Sequence, residues 1–284
     1  MEVKQNELLS KYTTFRMGGV AKEMFFPEDT NDLGKLFNDN SEAFDYVIGG
    51  GSNLLINDKK EYEKVICLRK LNNQVEYLGK GRYYIGASIR LQKAIKEINK
   101  DGYGGIEYLY SVPGLVGGAI YMNAGRGAQY NKSISDYIVS VDIFINGNIK
   151  KMPREECGFK YRHSIFQTMP RVIILGAEFL FPEISQEEAQ KRIEERLDLC
   201  RKVQDMSAPN FGTVFCHSNR YIMRIVRKIG MGYKDGCSFS RKTQSWMLKG
   251  ENGSFEQAIN LLNRVEKIHF ILGLRIEREV KVWE

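Results

Sequence analysis

Two spacings alternate along this chain: apolar residues three to four apart, then apolar residues one or two apart, and each switch marks an element. Leu33, Leu36 and Phe37 follow the capping run Asp29-Thr30-Asn31-Asp32, so the spacing predicts a helix that ends at Asn38-Asp39-Asn40-Ser41. Leu91, Ala94, Ile95 and Ile98 share one face of a helix over residues 89–100, stopped by Asp101-Gly102. Ala189, Ile193, Leu197 and Cys200 stripe a long charged helix over 185–203, with Ser185 and Glu188 placed as a capping box. A basic helix over 221–229 and a helix over 254–273, with Phe255, Ala258, Leu261, Leu262, Val265 and Ile268 inward, complete the set. Short β-branched and aromatic runs predict strands at 21–27, 45–48, 64–68, 83–87, 172–181 and 274–283, and residues 207–215 read as a loop entering a strand. Segments 137–144 and 147–152 form a hairpin around Asn146-Gly147, since both turn positions need φ above zero. No internal repeat or low-complexity tract interrupts the order.

Two glycine-rich stretches break these periods: Gly49-Gly50-Gly51-Ser52-Asn53 and Pro113-Gly114-Leu115-Val116-Gly117-Gly118. Three glycines directly after Tyr46-Val47-Ile48 make a turn, and backbone without Cβ atoms can approach a ligand and aim its N–H groups at it. Ser52 and Asn53 add side-chain donors, and Pro113 fixes entry to the second stretch. Its tail can be helical, with Val116, Ala119, Ile120 and Asn123 on one face. Two cradles point to a dinucleotide. The G-x-G-x-x-G fingerprint and the Walker lysine are both missing, which sets aside the two commonest phosphate loops.

With 284 residues, 43% hydrophobic and 27% charged, the chain is an ordinary globular protein of one large domain or two. No run of 18 apolar residues occurs and the first residues lack a signal peptide's apolar core, so the expected location is the cytoplasm, with no membrane partner. The net charge of +7 is interleaved with acids and has no basic tail, so an anionic small molecule accounts for it and no nucleic acid is expected. Cys67, Cys157, Cys200, Cys216 and Cys237 are scattered, as are the three histidines, so neither disulfides nor a metal is expected. Cys216 and His217 are adjacent, but neighbours in a strand point to opposite faces, which argues against a nucleophile pair.

Taken together, Tyr12-Thr13-Thr14-Phe15-Arg16-Met17-Gly18-Gly19, the two glycine stretches and Tyr161-Arg162-His163-Ser164-Ile165-Phe166 resemble the MurB family, the UDP-N-acetylenolpyruvoylglucosamine reductases. The likeness runs in order from about Tyr12 to the last strand. It implies an α+β protein: an FAD-binding fold of the vanillyl-alcohol-oxidase type in two subdomains, 1–62 and 63–184, plus a smaller α+β substrate domain, 185–284, whose last strand is a candidate to return to the first subdomain. It implies FAD as cofactor, NADPH as co-substrate, a nucleotide-sugar substrate and peptidoglycan synthesis as the process; no obligate protein partner is indicated. The flavin pyrophosphate then belongs on Gly49, Gly50, Gly51, Ser52 and Asn53 and on Pro113, Gly114, Gly117 and Gly118, with Asn123 among the cofactor contacts.

The resemblance also implies roles. Arg162 matches the family arginine and Glu279 the family glutamate, although Glu277 and Glu279 lie on the same side of the expected strand. Thr213 stands where the family has a serine proton donor in Gly-Ser-x-Phe-Lys-Asn-Pro; here the run is Gly212-Thr213-Val214-Phe215-Cys216-His217-Ser218. Tyr161, Cys216 and His217 fall at substrate-binding positions. The Lys-Asn replacement leaves two other readings open: a MurB-like FAD oxidoreductase acting on a different anionic or nucleotide-linked sugar, and a non-catalytic flavin-binding protein.

Overall fold

The structure, a computed structural model, describes residues 1–125 and 132–284. Strand β1 (Glu2–Leu8) leads through a 3-10 turn to β2 (Val20–Phe26), helix α1 (Thr30–Asp39), β3 (Val47–Ile48), β4 (Leu54–Ile56) and β5 (Glu61–Cys67). Next come β6 (Val75–Gly79), β7 (Arg82–Gly86), α2 (Leu91–Lys100), α3 (Val116–Tyr121), β8 (Ile138–Ile145), β9 (Asn148–Pro153), β10 (Ile173–Leu180) and α4 (Gln186–Val203). The remainder is β11 (Asn210–Thr213), β12 (Phe215–His217), α5 (Arg220–Ile229), β13 (Cys237–Phe239), β14 (Trp246–Lys249), α6 (Phe255–Ile271), β15 (Glu277–Arg278) and β16 (Lys281–Trp283).

Local chemistry sets the ends of these elements. The Asp29 carboxylate accepts the Asp32 N–H at 2.9 Å and so caps α1. Ser185 Oγ accepts the Glu188 N–H at 3.1 Å, while the Glu188 carboxylate takes the Arg192 Nε–H at 2.8 Å, so the expected capping box is half made. At the β8–β9 hairpin Ile145 pairs with Asn148, and Asn146 (φ 50) and Gly147 (φ 79) supply the two left-handed residues.

Two compact units emerge by contact: residues 1–5, 23–50 and 63–199 form the first, and 6–22, 51–62 and 200–284 the second. These limits differ from boundaries at 62 and 184, because compactness follows packing and not chain order: residues 1–62 are divided between the units, and α4 stays with the first to Leu199. In the first unit the five-stranded sheet β6-β7-β10-β8-β9 packs with α2 and α3 around a core that includes Leu91, Ala94, Ile95 and Ile98, all fully buried. Burying a leucine or isoleucine contributes about 1.5–3 kcal/mol, enough to fix the orientation of α2. A smaller core joins Phe25, Leu33, Leu36, Phe44, Phe144 and Ile173. β1-β2-β5-β3 form a four-stranded sheet.

In the second unit α5 and α6 pack with the sheet β11-β14-β13 around Met223, Val226, Leu261, Leu262 and Val265. The strand expected over 274–283 is broken. β15 pairs antiparallel with β12 and β16 pairs parallel with β4, while the N–H groups of Glu279 and Val280 both reach Val214 O, at 2.7 and 3.4 Å. Successive N–H groups of a regular strand point opposite ways, so this convergence ends the alternation between Glu277 and Glu279. Strands β1, β6, β13 and β14 were not signalled by spacing, since they are short or mostly polar.

Candidate active site

The first glycine turn leaves β3 at Gly49. The Arg69 guanidinium donates to Gly49 O at 3.2 Å and to Gly50 O at 3.3 Å. Across a trans peptide the N–H points away from its carbonyl, so the N–H groups of Gly50 and Gly51 face away from Arg69. Among the described residues neither donates to a protein acceptor. A Cβ on Gly50 would sit 3.3 Å from Gly114 Cα and Leu115 N, so the two glycine stretches meet backbone to backbone. Gly51 has φ +68, and its Cβ would lie 1.9 Å from Tyr12 O. Only glycine fits there.

The second stretch divides its glycines between two tasks. Gly117 gives its N–H to Ala87 O at 2.9 Å, and its Cβ would meet Ala87 Cβ at 2.8 Å, so it lets α3 pack on the turn between β7 and α2. Around Gly118 nothing lies within 4 Å of an added Cβ, and at Gly49 only Leu115 Cδ1 does, at 3.7 Å. Open space beside bare N–H donors fits a pyrophosphate. Asn123, expected among the cofactor contacts, is buried with its carboxamide committed: Nδ2 donates to Lys160 O at 2.8 Å and Oδ1 accepts the Ser135 N–H at 3.3 Å.

Asn123 thereby braces the turn that carries Arg162. Lys160 and His163 exchange two N–H···O bonds of 3.0 Å, leaving Tyr161 and Arg162 at the tip of a two-residue turn, with Arg162 left-handed at φ 54. Non-glycine residues hold that conformation only where their surroundings over-determine it. Here Gln167 Nε2 donates to Arg162 O at 3.0 Å, and Ser164, fully buried, donates to Tyr121 O at 2.6 Å. The guanidinium reaches Gly125 O at 3.0 Å and lies 5.5 Å from the centre of the Tyr161 ring. Nearby, Tyr108 has a buried hydroxyl with no hydrogen-bond partner among the described residues. Burial, then Tyr137, Asp136 and Glu107, push its phenol well above the ordinary tyrosine value, against Arg162.

Thr213, Cys216, His217 and Glu279 belong to the second unit. Thr213 is exposed, and the next residue is fixed on both sides: Val214 N–H donates to Ser245 O at 2.8 Å, and Val214 O accepts the Glu279 N–H. Asn53, expected among the cofactor contacts, gives its Nδ2 to Glu279 O at 3.0 Å, so a residue of the first turn anchors Glu279. In the β12–β15 pair Phe215 opposes Arg278 and His217 opposes Glu277, which leaves Cys216 as an extra, bulged residue. The expectation that Cys216 and His217 face opposite ways fails for this reason. Burial, with Glu277 and Glu279 adding, pushes the Cys216 thiol up to about 11, so it is a thiol at neutral pH. Burial lowers Lys281, opposed by Cys216, Glu277 and Glu279, which puts a cation among these side chains. Sequence reading passed over Lys281, Arg69 and Tyr108, because none lies in a spacing motif.

Comparison with known proteins agrees over the whole length. The family described as FAD binding domain matches residues 22–149. A UDP-N-acetylenolpyruvoylglucosamine reductase from Pelobacter propionicus is 31% identical over 283 residues, 98% of this chain and 94% of that protein. One from Fusobacterium nucleatum is 27% identical, covering 99% of both. Among solved structures, the reductase MurB from Thermus caldophilus superposes with a TM-score of 0.79 at 27% identity, covering 100% of both chains.

Proposed function

Because this chain belongs to the UDP-N-acetylenolpyruvoylglucosamine reductase family, we propose that it takes electrons from NADPH through FAD and reduces the enolpyruvyl ether of UDP-N-acetylglucosamine to UDP-N-acetylmuramate, for peptidoglycan synthesis in the cytoplasm. The observation that carries this reading is the backbone contact of Gly50 with Gly114 and Leu115, beside open space at Gly49 and Gly118. It is a cradle for two phosphates. On the family likeness, Gly49, Gly50, Gly51, Ser52, Asn53, Pro113, Gly114 and Gly118 would hold FAD.

When bound, FAD supplies hydride chemistry, accepting a hydride from NADPH and giving one to the vinyl carbon of the enol ether. An enol ether resists that addition because charge builds up on the neighbouring carbon and spreads into the carboxylate. Arg162 is assigned to neutralise that carboxylate, and its fixed turn means that little reorganisation is needed as charge develops. Glu279 is assigned to share a proton with the same carboxylate. Thr213 Oγ1 is assigned to protonate the carbon that bears the charge, which completes the saturated ether. Tyr161, Cys216 and His217 are assigned to substrate contacts. Among the described residues no helix is long and apolar enough to cross a membrane.

Purified protein should be yellow, and NADPH should bleach it. Rapid return of colour on adding the enolpyruvyl sugar, but not unrelated UDP-sugars, is the expected outcome. Reduced protein that ignores this sugar and is reoxidised by another metabolite would move the assignment to a different acceptor.

A further inference from the structure

The bulge in β12 does more than displace Cys216. It brings the Cys216 sulfur, an imidazole nitrogen of His217 and a carboxylate oxygen of Glu277 within 4.8 Å of one another. His217 Nε2 is 3.8 Å from Glu277 Oε2, and Cys216 Sγ is 3.5 Å from the Glu277 carbonyl oxygen. Ligands of a tetrahedral zinc ion, at about 2.3 Å for sulfur and 2.0–2.1 Å for nitrogen and oxygen, lie roughly 3.3–3.7 Å apart. Side-chain shifts of about 1 Å therefore close the set around one ion.

We propose that Cys216, His217 and Glu277 form a binding site for a divalent transition metal, with zinc the best match to a thiolate, an imidazole and a carboxylate. Three protein ligands leave the fourth position to water or an anionic ligand group. Cys216 and His217 are half-buried and Glu277 is exposed, so the ion has a path in from solvent. Arg275 donates to Glu277 Oε2 at 2.9 Å, the oxygen that also faces His217 Nε2, and so orients the carboxylate from outside the trio. Binding exchanges the thiol proton for the metal: the S–H bond breaks, an S–Zn bond forms and the proton goes to solvent, with no change of oxidation state. No C-x-x-C or His-x-His spacing announces this trio. Two ligands are adjacent in sequence, the third lies sixty residues on, and only a bulge puts them on one face.

The test is zinc itself, titrated calorimetrically into the FAD-loaded protein after chelator treatment. One equivalent should bind with a Kd below about 10 µM, releasing close to one proton, and zinc K-edge absorption should show one sulfur neighbour at about 2.3 Å. Cys216→Ser, His217→Gln and Glu277→Gln should each weaken binding at least tenfold at unchanged flavin content and melting temperature. Cys200→Ser should leave binding as it is. Absence of saturable binding, or one equivalent bound equally well by Cys216→Ser, overturns the proposal. Because the readout is the metal, the result does not depend on which sugar the enzyme reduces.

Discussion

The turn that carries Arg162 and the ribbon that carries Thr213, Cys216 and His217 hold their side chains by different means. Residues 160–167 close on themselves, Lys160 to His163 and Gln167 to Arg162, and that closed turn is tied to α3 and the residues after it through Ser164 and Gln167 on Tyr121 O and Asn123 on Lys160 O. The ribbon takes its bonds from strand to strand: Ser245 holds Val214, Glu279 hydrogen-bonds to Val214, and Glu277 and Arg278 pair across from β12. A turn closed on its own backbone keeps Tyr161 and Arg162 together at its tip. A ribbon assembled from three separated segments takes its register from pairing, and here the irregularity falls at Cys216, between Phe215 and His217.

The largest expected effect falls on the turn. Arg162→Met should slow substrate-dependent reoxidation of the reduced enzyme by about 10²–10³-fold, with flavin content and circular dichroism unchanged. Arg162→Lys should recover little of that loss, because a point charge lacks the planar fork. Stopped-flow rates within tenfold of wild type would remove Arg162 from the chemistry. On the ribbon, Thr213→Val should cost about 10²-fold in the same assay while Thr213→Ser stays near wild type, since only the hydroxyl is needed. Equal rates for the two would show that the proton comes from elsewhere.

Next come the glycines, where two similar substitutions should separate fold from ligand. Gly51→Ala places a Cβ against Tyr12 O at a positive φ and should lower stability in urea by about 2 kcal/mol or more. Gly118→Ala meets nothing within 4 Å, so stability should hold while FAD is retained at least tenfold less tightly. Unaltered flavin affinity in Gly118→Ala would mean that the cradle has been misplaced.

The smallest effect is a pH slope carried by raised thiols in both units, Cys67 and Cys157 in the first and Cys216 and Cys237 in the second. Burial raises Cys157, Cys216 and Cys237 from 9.0 to about 11 and raises Cys67 as well. As pH climbs past 9, the unfolded chain releases these protons first and the native state binds more of them, so stability falls between about pH 9 and 11. Below pH 9 they add no slope. Urea midpoints at pH 8, 9 and 10 should therefore be level and then decline, and a midpoint that rises over this range would contradict the burial of these thiols.

Much of the first unit was legible because its signals are local. The periodicity of Leu91, Ala94, Ile95 and Ile98, the Asn146-Gly147 turn and the Asp29 cap each involve residues within one or two helical turns. Arg69 behind the glycine carbonyls was not legible, since it lies twenty residues from the turn it restrains and belongs to no motif. Gly117 and Gly118 read alike as letters, yet one packs on Ala87 and the other borders open space.

From the order of residues alone came the alternation of helices and strands, the two bare-backbone turns, the motif that presents Arg162 and a resemblance strong enough to imply FAD. Folding in three dimensions settled the rest: the break at Glu279, the bulge that swings Cys216 toward Glu277, and the commitment of Asn123 to bracing. The division has a physical basis. Propensity, capping and turn preference act over a few residues, whereas register and side-chain direction in short paired strands depend on partners that the chain supplies from thirty to sixty positions away.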